Sequence, residues 1–72
     1  MRIAQTLKDL PVGTPVELEG LKLYKGLVCE VGWSSNYRQQ YIKILFADGV
    51  DIIYYEEDLK EEGIMIVEVI CG

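Results

Sequence analysis

Residues 41–55 read YIKILFADGVDIIYY, and this stretch decides the fold of the chain. Apolar residues recur at every second position on both sides of Asp48-Gly49, at Ile42, Ile44, Phe46, Val50, Ile52 and Tyr54. A period of two is typical of a β-strand with one buried face. Asp-Gly tolerates the positive backbone angles that a tight hairpin turn requires. The stretch therefore predicts a β-hairpin that turns at Asp48-Gly49.

The segment before this hairpin shows a less regular alternation. Between residues 21 and 31 the odd positions are apolar, at Leu21, Leu23, Leu27, Cys29 and Val31. Gly26 interrupts the pattern, and a glycine inside a strand commonly marks a bulge or a bend. We therefore expect a strand from Gly26 to Val31 with the odd positions facing inward. Residues 32–40, GWSSNYRQQ, lack apolar periodicity and are rich in turn formers, which predicts a long irregular connection.

Shorter elements are predicted at both ends of the chain. Residues 2–5 and 16–18 favour short strands, and residues 6–10 and 56–60 favour single helical turns that end near Pro11 and Gly63. Residues 64–70 form a last strand with apolar side chains on both faces, which indicates a central position or a covering partner. Short strands joined by turns predict a mainly β fold, a small barrel that occupies residues 1–72 as one domain.

Three segments together resemble the Tudor-like members of the Src-homology-3-like barrels. They are residues 26–31 (GLVCEV), residues 41–49 (YIKILFADG) and Asp58-Leu59, and they cover about half of the chain. The resemblance implies a five-stranded Src-homology-3-like barrel with one or two short helical turns. It also implies binding of methylated Lys or Arg tails, or of other peptides, in a cage of aromatic side chains. The chain has no residue between Asp48 and Gly49, where the family usually places an aromatic, so one wall of such a cage is missing.

Size and charge restrict the classes of partner. A chain of 72 residues has room for one core. Seven Lys and Arg against twelve Asp and Glu give a net charge of −5, which opposes binding to the phosphates of nucleic acid. No run approaches the ~20 apolar residues that a membrane helix needs, so we expect a cytoplasmic protein without membrane contact. Cys29 and Cys71 are then expected to be reduced structural thiols.

Catalysis and metal binding have little support in the sequence. The chain contains no His, which removes the usual general base and the usual activator of a nucleophile. Two distant cysteines do not have the spacing of a transition-metal site. The acidic residues between 56 and 62 lack the spacing of a calcium loop. We therefore expect a protein that is not an enzyme and that uses no cofactor or metal.

Aromatic and charged residues mark two candidate parts of a binding surface. Trp33 and Tyr37 lie in the predicted long connection with Arg38 beside them, and aromatics and Arg are enriched at binding hot spots. Tyr55 precedes Glu56 and Glu57, and an exposed tyrosine beside carboxylates suits a basic peptide. Both groups also have a purely structural interpretation, in which Trp33 folds back over an open end of the barrel and Tyr55 covers an edge.

Three functional hypotheses remain open at this point. The first is a protein-interaction module that binds a protein or peptide partner, preferably a basic one, through these six residues. The second is a homo-oligomer assembled through the last strand, residues 64–71, because its two apolar faces are hard to bury in so small a domain. The third is a nucleic-acid-associated barrel, which the net charge makes the weakest of the three.

Overall fold

The computed structural model describes residues 2–18 and 24–67 of the chain. Six strands form a single antiparallel sheet in the order β1-β6-β2-β3-β4-β5. The strands are β1 (Arg2–Ile3), β2 (Pro15–Leu18), β3 (Tyr24–Ser34), β4 (Gln39–Phe46), β5 (Asp51–Tyr55) and β6 (Ile64–Ile66). A 3₁₀ turn (Leu7–Asp9) and one short helix, α1 (Asp58–Glu62), complete the described elements, so the predicted mainly β class is confirmed. None of the described helices is long and apolar enough to span a bilayer.

The ends of this sheet do not meet in the described residues. β1 pairs only with β6 and β5 pairs only with β4 within residues 2–18 and 24–67. The sheet is therefore open, and the predicted closed barrel remains a prediction. β6 lies between β1 and β2, which confirms the predicted central position for residues 64–66. Residues 68–70 of the predicted last strand, and Cys71, lie outside the described residues.

The predicted hairpin is confirmed as β4 and β5. Its register sets Ile42 opposite Tyr54 and Ile44 opposite Ile52. At the turn the Phe46 N–H donates to the Val50 carbonyl at 2.8 Å and the Gly49 N–H donates to the Phe46 carbonyl at 2.9 Å. Gly49 has a φ of 91°, in the left-handed region that the Asp-Gly pair anticipates.

A second contact ties this turn to β3. The Tyr24 hydroxyl donates a hydrogen bond to the Asp48 carboxylate, and the Ala47 N–H donates to the Lys25 carbonyl at 2.9 Å. The bond to the carboxylate raises the pKa of the Tyr24 hydroxyl above its usual value. The same bond, with a second one from the Val50 N–H, lowers the pKa of the Asp48 carboxyl.

The core lies on one face of the sheet. Ile42, Ile44 and Phe46 of β4 are fully or almost fully buried, as the alternation predicted. On the return strand the prediction holds for Tyr54 and is wrong for Val50 and Ile52, which are exposed. The 3₁₀ turn and α1 cover this face, and each contributes one buried leucine, Leu7 and Leu59. The two predicted helical turns are thus confirmed as the elements that close the core.

The predicted inward face of β3 is wrong at Leu27 and Cys29, which are exposed while Val28 is buried. The pairing with β4 shifts register between Val28 and Glu30, so the bulge lies at Cys29. Beyond the bulge Val31 lies opposite the buried Ile42 on the core face, but it is 46% exposed. Gly26, which lies opposite Phe46, determines which side chains at the start of β3 point toward the core. A Cβ at Gly26 would stand 2.6 Å from Ile44 Cγ2 and 2.8 Å from Phe46 Cδ1, so the core side chains occupy its place.

The predicted long connection over residues 32–40 is also wrong. β3 continues to Ser34 and β4 begins at Gln39, with Trp33 opposite Gln40. Only residues 35–38 form the turn. Cross-strand pairing therefore extends through sequence that local propensity assigns to a loop, and β3 and β4 form a long hairpin with its tip at residues 35–38.

Candidate functional site

The tip of the β3–β4 hairpin folds toward β5 and brings two predicted site residues together. The rings of Tyr37 and Tyr55 are 5.4 Å apart between centroids and inclined at 66°, an edge-to-face contact. Such pairs contribute about 0.5–1.5 kcal/mol beyond the area they bury. Tyr37 is nonetheless 66% exposed, so most of its ring remains available to another molecule.

The turn itself sets the position of Tyr37. Its N–H donates to the Ser34 Oγ at 3.4 Å, a local bond that Ser often provides in turns. Arg38 follows with a φ of 52°, the left-handed conformation that reverses the chain direction here. Arg38 is exposed at the tip, next to Tyr37 in the sequence.

A third tyrosine, Tyr41, lies beside the pair and was missed by the sequence analysis. The register of the β4–β5 hairpin sets Tyr41 opposite Tyr55 on the same face of the sheet. Its hydroxyl donates to the Glu30 Oε2 at 2.6 Å, and this bond raises the pKa of Tyr41. Lys43 Nζ lies 3.8 Å from the same carboxylate oxygen. We call Tyr37, Tyr41 and Tyr55 the tyrosine cluster. Counting outward from a three-residue turn at residues 47–49 would have placed Tyr41 opposite Tyr55.

Trp33 lies on the other face of the hairpin. It is paired with Gln40, which shares a face with Ile42 and the core, whereas Tyr41 and Tyr55 point to the opposite face. Trp33 is 63% exposed, beyond the end of the core. Among the described residues its ring makes no contact with another aromatic ring.

The acidic residues after Tyr55 have different surroundings. The Glu56 carboxylate accepts a hydrogen bond from the Leu7 N–H at 3.0 Å, which joins the 3₁₀ turn to this end of β5. The Asp58 carboxylate accepts from the Tyr55 N–H at 2.8 Å and fixes the start of α1. Glu57 is exposed and directly follows Glu56, so its carboxylate is available to a partner.

The arrangement favours binding of a cation through aromatic rings and carboxylates. An exposed ring face attracts Lys or Arg side chains, and a neighbouring carboxylate adds charge attraction. In the part of the chain that the structure describes, no group of three His, Cys, Asp or Glu side chains is placed to hold a metal ion.

Comparison of the chain with protein-family models, with curated proteins and with solved structures finds no match. The site is therefore interpreted from its own geometry.

Proposed function

We propose that this chain is a non-catalytic protein-interaction module that binds a basic segment of a partner protein at the tyrosine cluster. The observation that carries the proposal is the contact between Tyr37 and Tyr55, which holds an exposed aromatic ring in a defined orientation. A preorganised aromatic side chain loses little conformational freedom on binding, and such residues dominate the energy of interfaces.

The chemistry of the site sets the preference for a basic partner. An Arg or Lys side chain of the partner would stack on Tyr37 while its charge meets the Glu57 carboxylate. Glu56 borders the same site, but its carboxylate already accepts the Leu7 N–H, so we assign it the smaller role. The net charge of −5 attracts a basic segment over longer distance and increases its association rate.

Two further residues would set how the partner lies. Trp33 faces the opposite side of the hairpin, so a segment that passes around the tip would contact both Trp33 and Tyr37. Arg38 at the tip repels cations and suits an acidic side chain of the partner. A segment with a basic residue at the tyrosine cluster and an acidic or apolar residue at the tip therefore fits best.

The detailed fold and the compartment belong to the same proposal. We infer that the sheet curls in the manner of a Src-homology-3-like or Tudor-like barrel, supported by the return of β6 to the side of β2 after the β2–β5 meander. We infer action in the cytoplasm, a reducing compartment in which an exposed thiol such as that of Cys29 stays free.

The experiment that tests the function is a titration of the ¹⁵N-labelled chain with an Arg-containing peptide. A peptide in which Gln replaces each Arg is the control for charge. The variants are Tyr37→Ala and Glu57→Gln, and their matched controls are Val12→Ala and Glu61→Gln, exposed residues outside the site.

We expect shift changes centred on the tyrosine cluster and a fall in affinity of about fivefold to tenfold for each site variant, which corresponds to about 1 kcal/mol. The control variants should bind like the parent chain. Equal binding of the Gln peptide, or a Tyr37→Ala variant that binds like Val12→Ala, would contradict the proposal.

A further inference from the structure

The outer edge of β5 presents backbone groups that pair with no other strand in the described residues. The bond from the Phe46 N–H to the Val50 carbonyl fixes the phase of the β4–β5 ladder. In an antiparallel ladder the hydrogen-bonded pairs alternate along the strand, so Ile52 and Tyr54 bond to β4. The N–H and C=O groups of Asp51 and Ile53 then point away from the sheet.

A hydrogen bond at the last residue of β5 confirms which backbone groups of this strand point away from the sheet. Tyr55 is in the same phase as Ile53, and its N–H donates to the Asp58 carboxylate instead of to β4. Asp58 therefore satisfies the outward donor at one end of β5. The described structure provides no equivalent acceptor for the Ile53 N–H.

The side chains of this edge carry one protective charge, Asp51, at its first residue. Proteins commonly guard an exposed strand with Lys, Pro or an inward-pointing charge. β5 reads DIIYY and contains neither Lys nor Pro. Ile52 is 37% exposed and Ile53 is 46% exposed, so apolar side chains border the open backbone on both faces of the sheet.

We propose that β5 is a homodimerisation edge, at which a second copy of this chain pairs antiparallel with β5 and joins the two sheets. The favoured register sets Ile53 opposite Ile53 of the second copy across a two-fold axis. Both residues have outward N–H and C=O groups and would exchange two hydrogen bonds. This inference rests on the backbone of β5 and does not depend on the proposed peptide site.

The side chains of β5 are compatible with this register. With Ile53 opposite itself, each Asp51 carboxylate faces Tyr55 of the second copy, so no two carboxylates are directly opposed along β5. In the neighbouring register, which sets Ile52 opposite itself, each Asp51 carboxylate would face an isoleucine. In this register the Ile53 pair supplies apolar contact and two hydrogen bonds, whereas the Tyr55 N–H stays bonded to Asp58 and adds no bond to the second copy.

The size of the contact sets the expected strength. Pairing along five residues buries much less than the ~800 Å² per partner of a standard interface. We therefore expect a dimer that forms within the micromolar range of protein concentration.

The test is sedimentation equilibrium of the full chain with a thiol reductant, from about 10 μM to about 1 mM. Ile53→Pro removes the outward N–H without removing a hydrogen bond to β4, which is the placement that an edge strand tolerates. Ile53→Glu keeps the N–H, can pair with Lys43 across the strand, and sets two carboxylates opposite each other in a dimer. Leu27→Glu is the matched control, since Leu27 is equally exposed but lies two strands away from the edge.

We expect the mass of the parent chain and of Leu27→Glu to rise toward that of a dimer with concentration, and each Ile53 variant to weaken association at least about tenfold. If Ile53→Pro fails to fold, Ile53→Glu alone decides. A parent chain that stays monomeric overturns the proposal and leaves the edge to an extended segment of another protein. A dimer that persists in the Ile53 variants, or that Leu27→Glu weakens equally, also overturns it.

Discussion

Substitution of Gly26 by Ala replaces one hydrogen atom by a methyl group where β3 packs against the core side chains of β4. The new Cβ would stand 2.6 Å from Ile44 Cγ2 and 2.8 Å from Phe46 Cδ1. Both side chains are buried, and the Phe46 ring packs on Tyr24 with 4.4 Å between centroids. Neither can move without opening the core, so the backbones of β3 and β4 must separate.

The expected cost follows from two opposing terms. Overpacking of a core typically costs about 1–3 kcal/mol, whereas replacing Gly by Ala in a strand recovers about 0.5–1 kcal/mol of conformational entropy. The two terms leave a net cost of up to about 2.5 kcal/mol, and we expect Gly26→Ala to lower the free energy of unfolding by about 1 kcal/mol or more, because both approaches are below 3 Å. In a domain of this size, where one core supplies about 3–5 kcal/mol, that is a large fraction.

Gly32→Ala is the matched control in the same strand. A Cβ at Gly32 would stand 2.6 Å from the Tyr41 hydroxyl, but that ring is half-exposed and can swing away. We expect a change of less than about 0.5 kcal/mol there, as at other surface positions. Urea denaturation followed by far-UV circular dichroism measures both variants. A Gly26→Ala midpoint at or above that of the parent chain, or equal costs at Gly26 and Gly32, would refute the packing proposed for β3 and β4.

Two further predictions concern the core. Burial, with smaller effects from Glu62 and Asp58, raises the pKa of Tyr54 from 10.0 to about 12, so the unfolded chain loses this proton first as the pH rises. The contribution of Tyr54 to the free energy of unfolding is complete below pH 10 and is lost as the pH approaches about 12. A pKa difference of two units corresponds to at most about 2.7 kcal/mol. Solvent lies close to so small a core, which reduces the expected contribution to about half of that value. Alkaline denaturation should therefore be less steep in Tyr54→Phe, and identical slopes would contradict the assignment. Leu59→Ala should lower the free energy of unfolding by about 2–4 kcal/mol, because it removes the buried side chain by which α1 packs on the core. A urea midpoint like that of the exposed control Lys60→Ala would contradict this role of Leu59.

The hairpin of β4 and β5 could be predicted because local and global preferences agree there. The alternation has one buried face, and Asp48-Gly49 favours the turn that the strands need. The inward face of β3 could not be predicted in this way, because apolar residues occupy both of its faces. Alternation alone does not distinguish Val28 from Leu27; the choice depends on Gly26, whose missing side chain admits Phe46 from the neighbouring strand.

The candidate site was predicted in its residues and only partly in its geometry. Tyr37 and Tyr55 were selected for their chemistry, but their contact depends on strand pairing that continues through residues 32–34 and 39–40. Glycine, serine and asparagine in this segment indicate a loop, and tertiary pairing overrides that local preference. Trp33 was grouped with Tyr37 because they are close in sequence, whereas the pairing places Trp33 on the opposite face.

The central claim is that β3, β4 and β5 form one continuous antiparallel meander that sets Tyr37 against Tyr55. A nuclear Overhauser measurement on the labelled chain tests it most directly. We predict cross-peaks between the ring protons of Tyr37 and Tyr55, together with an Hα–Hα cross-peak between Lys43 and Ile53, which are directly opposed without hydrogen bonds between them. A spectrum in which Tyr37 has no contact with Tyr55, or in which Lys43 pairs with a residue other than Ile53, would contradict the claim.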